Sequence, residues 1–274
     1  MTSAFGTDAI AAGYATRRPP LHPLILERVK GHLPFPGKVA RALDVGCGAG
    51  LSTRALQEIA DHCIGIDPAE VMLRWMPRTA PGADCLVGRA EAIPLRCHSI
   101  DLITAAGSLN YVDLRVFFQE AKQVLAPGGI IVVYDFFPGS SFTSSGALDQ
   151  WFSTFTARYP YPPDDAAELD PRQLSRMDHG FQLQSSDQFE IGLTLTPQFY
   201  LEYLMTETNV AFALRHGDSE AAITSWCSST LGAVWGEQPM EVLFRGYFAC
   251  LAAHSAARND DSVRCSNAFC VRFT

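Results

Sequence analysis

The stretch "ALDVGCGAGLSTRAL", Ala42 to Leu56, places three glycines within five positions directly after an apolar run. Glycine loses more backbone entropy on folding than any other residue, so a cluster of them has to answer to a local need. In the first strand-to-helix turn of a parallel sheet, glycines let backbone N–H groups and a helix N-terminus come close to a ligand. A dinucleotide fingerprint would read G-x-G-x-x-G, and counted from Gly46 and Gly48 its third glycine falls on Leu51. The order present is G-x-G-x-G: Gly46, Gly48 and Gly50, preceded by Asp44 and interrupted by Cys47 and Ala49. No lysine lies in the loop, so it does not match the phosphate loop of the nucleotide hydrolases either. Asp44 at the strand end suits a ligand carrying a positive portion better than one ending in phosphates.

Outward from this turn, short apolar runs alternate with helical spacing from Val39 to Phe137. Strands are expected at 39–45, 62–67, 83–89, 99–106 and 129–136. Helices are expected at 51–60, at 68–76 and at 113–125, the last capped by Asp113 and stopped by Pro127-Gly128-Gly129. Five apolar strands with helical crossovers imply a parallel α/β sheet covered on both faces. Any ligand then belongs at the carboxyl ends of the strands. Asp67 closes the second strand 21 residues after Gly46, where a carboxylate can accept both hydroxyls of a ribose. The same residue is placed to cap a helix beginning at Pro68.

The stretches "LDVGCGAGLSTRAL", "IGIDPAEVML", "VGRAEAIPL", "SIDLITAAGSLNYVD" and "LAPGGIIVVYDF" stand in the order and spacing of class I S-adenosylmethionine-dependent methyltransferases. Within them the chain resembles the methyltransferase domain 11 group, which includes ubiquinone-pathway and trans-aconitate-like enzymes. The resemblance covers about residues 10–137. It implies a Rossmann-like, doubly wound, mostly parallel sheet of seven strands, with S-adenosyl-L-methionine as cofactor. By position, Asp44, Gly46, Cys47, Gly48 and Gly50 would embrace the methionine part, with Leu51 and Ser52 opening the helix near its carboxylate. Asp67 would hold the ribose, Pro68 and Met72 would flank the adenine, and Ala90 and Glu91 would approach its edge. Arg89 stands where the family usually has an acidic residue or asparagine. Ala106 would pass under the sulfonium. Asn110 replaces a frequent histidine and, with Tyr14, is a candidate for the catalytic step. Tyr14 and Arg18 are the expected lid contacts ahead of the first strand.

The implied division is an N-terminal helical lid (1–38), a cofactor-binding core (39–137), a cap (138–239) with a sixth strand at 181–196, a closing strand (240–257) and a tail (258–274). The segment 138–146 reads as a connector. The cap holds Trp151, Phe152, Phe155, Tyr159, Tyr161, Phe199, Tyr200, Tyr203, Trp226 and Trp235, divided between a substrate pocket and plain packing.

Composition narrows the function. The chain has 274 residues, 47% hydrophobic and 18% charged, with a net charge of −8, and so lacks the basic footprint of nucleic-acid binders. Eight scattered cysteines without a C-x-x-C pair suggest neither a metal site nor a disulfide framework. No apolar run reaches membrane-spanning length and the N-terminus lacks signal-peptide order, which is the expectation for a cytoplasmic protein. The expected activity is methyl transfer to a small organic molecule with a carboxylate, hydroxyl or carbon nucleophile, by a monomer or homodimer that engages neither nucleic acid nor membrane. The alternatives are a non-methylating step on the same fold or a non-catalytic regulatory subunit.

Overall fold

The computed structural model describes residues 7–163, 169–177 and 180–253, so the expected tail at 258–274 lies outside the described residues. Within them the chain forms two compact units. The larger comprises His22–Asp135, the described residues from 169 to Asp187, and those from Tyr247 onward. The smaller comprises the residues up to Leu21, those from Phe136 to 163, and Gln188–Gly246.

The strands are β1 (Val39–Val45), β2 (Ala60–Asp67), β3 (Asp84–Val87), β4 (Ile100–Ala106), β5 (Leu125–Phe136), β6 (Ser141–Phe142), β7 (Phe181–Leu195) and β8 (Met240–Ala253). The helices up to the middle of the chain are α1 (Asp8–Arg17), α2 (Leu21–Lys30), α3 (Leu51–Leu56), α4 (Glu70–Leu73), α5 (Met76–Thr79) and α6 (Leu114–Val124). They are followed by α7 (Ala147–Arg158), α8 (Pro171–Arg176), α9 (Pro197–Leu204), α10 (Thr208–Arg215) and α11 (Glu220–Trp235).

In the larger unit the strand order is β3-β2-β1-β4-β5-β8. β1 runs parallel to both β2 and β4, with Val45 opposite Ile66 on one side and Ala105 on the other. The order therefore reverses at β1, and the crevice outside the ends of β1 and β4 is the switch point where ligands bind in open α/β sheets. One face is filled by Leu43, Val45, Ile103, Ile131 and Val133 packed with Phe117, Phe118, Ala121 and Val124 of α6. That helix starts where Asp113 accepts from the amides of Arg115 and Val116, as its spacing predicts. On α2, His22 bonds Tyr134 of β5 and His32 meets Phe248 of β8 edge-on.

Three local expectations are corrected. The helix expected over 68–76 breaks into α4 and α5, because Pro77 lacks an N–H and its ring would meet the carbonyl of Leu73. The strand expected at 129–136 already starts at Leu125, whose partner is Ile100; the next pair is Leu102 with Ile130, so residues 126–129 loop out around Gly128 at φ +83°. The sheet has eight strands where seven were expected, the addition being the two-residue β6 inside the segment read as a connector. Among the described cysteines, Cys47, Cys63, Cys85, Cys227 and Cys250 are free, whereas Cys97 is disulfide-bonded, a bond the scattered spacing did not foretell.

In the smaller unit β6 pairs antiparallel with the first part of β8 through Ser141–Leu243 and Phe142–Val242. Its core is aromatic. Trp151 stacks on Phe155 and on Trp226, Tyr159 meets Trp226 edge-on, and Tyr200 packs on Trp235. Trp151, Phe155, Tyr159, Tyr200, Tyr203 and Trp235 are all buried, so packing rather than a pocket wall accounts for them.

The same unit contains an ion pair between Arg18, just after α1, and Glu207, which precedes α10. Arg18 also donates to Thr206 and lies over the rings of Tyr14 and Tyr203 at 4.5 and 5.3 Å. Glu207 is buried, and removing one partner of such a pair leaves the other charge without compensation. Glu207→Gln is therefore expected to destabilise the protein by about 3 kcal/mol in urea unfolding; a loss below about 0.5 kcal/mol, the size of a surface substitution, would contradict this.

Candidate functional site

The glycine turn is held from below by one carboxylate. Asp44 is fully buried, and its Oδ2 accepts from the hydroxyls of Ser52 and Thr53, both at 2.6 Å, while Oδ1 accepts from Thr104 at 2.9 Å. One side chain thus ties the end of β1 to the first turn of α3 and to β4. Asp44, expected beside the methionine part of the cofactor, has the chain's own hydroxyls as these three partners. Burial pushes its carboxyl above the ordinary value, partly offset by the three hydroxyl donors.

Each glycine sits at positive φ: Gly46 at +69°, Gly48 at +52° and Gly50 at +95°. What lies against them differs. A Cβ on Gly46 would fall 2.3 Å from Cβ of Ser108, and one on Gly50 would fall 2.3 Å from Sδ of Met76. Those two are bare so that protein can pack on them. Gly48 has only the flexible end of Met72 nearby, at 3.3 Å. Ser108 closes the other side of the turn by donating to the Val45 carbonyl at 2.6 Å. The Cys47 thiol points away into a small cluster with Leu73, Met76 and Ala80, and burial raises its pKa, so that position presents backbone alone.

Asp67 links the turn to β2. Its Oδ2 accepts from the Gly48 amide at 2.9 Å, and its Oδ1 accepts from the Ala69 amide at 2.8 Å. The second bond fits the capping role that the sequence allows. Burial raises this carboxyl too, with the two amides acting against the shift. A carboxylate has about four lone-pair sites. With one used on each oxygen, Asp67 can still accept two further hydrogen bonds, one per oxygen.

Pro68 is exposed beside the half-buried Asp67, Met72 is buried at 3% exposure, and Ala90 is buried. Glu91 accepts from the amide of Asp113 through Oε1, and its Oε2 lies 3.5 Å from the Arg89 guanidinium. Glu91 therefore braces the start of α6 and draws the largely exposed Arg89 to itself. Ala106 is half-buried at the end of β4, opposite Tyr134. Gly46, Gly48, Asp67, Pro68, Met72, Ala90, Ala106 and Asn110 all belong to the larger unit, whereas Tyr14 and Arg18 belong to the smaller.

Asp135 was not singled out in the sequence. It is the next-to-last residue of β5, as Asp67 is the last of β2, and that recurring carboxylate closing an apolar strand was the available signal. Its Oδ2 accepts from Nδ2 of Asn110 at 2.9 Å, and a Cβ on Gly107, at φ +62°, would lie 2.8 Å from its Oδ1. Among the described residues no three metal-ligating side chains cluster, and no helix is long and apolar enough to cross a membrane.

Sheet order, switch-point crevice and glycine turn together define the Rossmann-like methyltransferase architecture. Residues 43–133 match the methyltransferase domain family. An uncharacterized methyltransferase of Mycobacterium tuberculosis is 33% identical over 129 residues, which cover 47% of this chain and 50% of that protein. A malonyl-acyl-carrier-protein O-methyltransferase of Methylococcus capsulatus is 38% identical over 96 residues, covering 33% of this chain and 35% of its own. The chain thus spans half or less of the length of these relatives. A solved chain from Anaeromyxobacter dehalogenans, provisionally assigned as a type II methyltransferase, shares the fold with a TM-score of 0.67 at 24% identity. The alignment covers 85% of this chain and 96% of that one.

The pH dependence of stability tests the Asp44 clamp. Asp44 is raised in the folded state, so its contribution is complete below the ordinary carboxylate value of about 3.9 and is lost as pH rises through the folded value. Asp44→Asn removes that titration. In urea unfolding between about pH 4 and 7 the variant should gain on the wild type as pH rises; a constant or shrinking difference would contradict the assignment.

Proposed function

We propose that the protein transfers the methyl group of S-adenosyl-L-methionine to a small organic acceptor, with the cofactor lying across the ends of β1, β2 and β4. The observation that carries this reading is Asp67. Its two oxygens each hold one backbone amide, which fixes the carboxylate, and each keeps an acceptor site, which matches the cis-diol of a ribose. Gly48 has no side chain between its own amide and the crevice, so the backbone there can approach the cofactor closely. Pro68, Met72 and Ala90 provide apolar surface of the kind that receives a purine face, and the backbone of Gly46, Cys47 and Gly50 forms the turn beside the amino-acid end. Glu91 is a further contact in this reading. Arg18 is committed to Glu207 and to the ring of Tyr14 within the smaller unit.

The cofactor supplies a methyl already activated on a sulfonium. What remains for the chain is to hold donor and acceptor in line, and alignment of that kind can lower a barrier by roughly 7–11 kcal/mol. No histidine or carboxylate is required to assist that geometry. The roles of the relatives do not identify the acceptor, because one is uncharacterized and the other matches over about a third of each chain.

Calorimetry with S-adenosylhomocysteine tests the site. Asp67→Ala removes both diol acceptors, and buried charge-assisted hydrogen bonds contribute about 1.5–3 kcal/mol each, so affinity should fall at least roughly 100-fold. Circular dichroism of the variant should match the wild type. Undiminished affinity in a folded Asp67→Ala variant would contradict the reading.

A further inference from the structure

Asn110 stands in a short 3-10 turn, Leu109–Tyr111, immediately after the end of β4. A side-chain amide can face a neighbour with either its oxygen or its nitrogen, and the chemistry of that neighbour decides which. The neighbour here is Asp135, which as a carboxylate offers only acceptors. Asn110 therefore presents Nδ2 to Asp135, as the 2.9 Å contact records, and its Oδ1 must point elsewhere. The Asp135 carboxylate occupies the space that a side chain on Gly107 would take. Asn110 itself is half-buried, and with its nitrogen engaged by Asp135 the oxygen is left as a hydrogen-bond acceptor in the turn that follows β4.

An amide oxygen orients a donor but does not take its proton. Such a group suits a nucleophile that attacks without prior deprotonation and still carries a hydrogen to donate. A neutral amine meets both conditions, whereas a carboxylate has no hydrogen to offer and a hydroxyl needs a base. As the nitrogen gains positive charge, its N–H bond to the amide oxygen becomes charge-assisted and strengthens, so the interaction is greater in the transition state than in the ground state.

Resting on the methyl-transfer reading above, we propose that the methyl acceptor is a neutral amine, held by an N–H···Oδ1 bond to Asn110, with Asp135 as the positioning residue that keeps that oxygen turned toward it. The nitrogen lone pair forms the new N–C bond while the S–C bond breaks with its electron pair going to sulfur. The cofactor leaves as the neutral thioether, and the methylammonium product releases its extra proton to bulk water.

The full chain, S-adenosylmethionine carrying a carbon-13 methyl, and a pooled small-molecule cell extract supplemented with primary amines, phenols and carboxylic acids make the test. The carbon-13 shift of the product methyl reports the atom to which it is bonded. Methyl on nitrogen is expected. Methyl on oxygen or carbon, or no methylated product while S-adenosylhomocysteine still binds, would overturn the amine assignment. Loss of nucleoside binding by the wild type would instead remove the methyl-transfer reading beneath it.

Variants separate positioning from structure. Asn110→Leu should lose roughly 100-fold in turnover, the scale for removing one preorganised polar group, with affinity for S-adenosylhomocysteine unchanged. Asp135→Asn, which can present a donor and so let Asn110 turn over, should fall in turnover at constant cofactor affinity. Asn110→His is the informative rescue. With one ring N–H donated to Asp135, the other nitrogen keeps its lone pair, so activity should return at alkaline pH. It should then be lost as pH falls through the imidazole value of about 6.5 or above. Full activity of Asn110→Leu, or an Asn110→His profile without that acid limb, would overturn the proposal.

Discussion

A single buried carboxylate sets the geometry on which the rest of the site depends. Asp44 draws Ser52 and Thr53 from α3 and Thr104 from β4 onto one point beneath the glycine turn. An unpaired carboxylate in that place would be costly, so the three hydroxyls are obligatory partners rather than optional contacts. Two of these bonds reach the next element and the third spans 60 residues, so one residue links β1, α3 and β4. The turn above can then be left-handed and open without collapsing.

The glycines divide the labour of that turn. Gly46 and Gly50 are bare because Ser108 and Met76 occupy the space where a Cβ would go. Gly48 is different: its amide is the link to Asp67, and little protein stands over it. Close packing below and close approach above are separate demands met by the same motif. Three strands of the sheet, β1, β2 and β5, carry an aspartate at or next to their C-terminal end, and the three have separate roles. Asp44 ties β1 to α3 and β4, Asp67 holds the Gly48 and Ala69 amides, and Asp135 accepts from Asn110.

What the sequence made legible was whatever depends on neighbours a few residues apart. The glycine spacing, Asp67 at the strand end, the Asp113 cap and the alternation of strand and helix are all local signals, and the fold followed from them. The interior of the site was less readable. Whether Asp44 points into the crevice or beneath it depends on Thr104, 60 residues away, and the role of Asp135 depends on a partner 25 residues earlier. Arg18 could not be matched to Glu207 across 189 positions by any periodicity. Pro77 was in plain view, yet the apolar spacing of "PAEVMLRWM" outweighed it until the missing amide showed where the helix must stop. The aromatic cap segment could not be divided in advance for another reason, since buried packing and a pocket wall draw on the same residues.

The central claim is that Asp67 and the glycine turn are shaped for one nucleoside. A crystal structure of the protein grown with S-adenosylhomocysteine addresses it most directly. The account predicts both ribose hydroxyls within about 2.5–3.0 Å of the two Asp67 oxygens, with the homocysteine end over Gly46–Gly50. Density for the nucleoside at any other place, with Asp67 left to solvent, would contradict it.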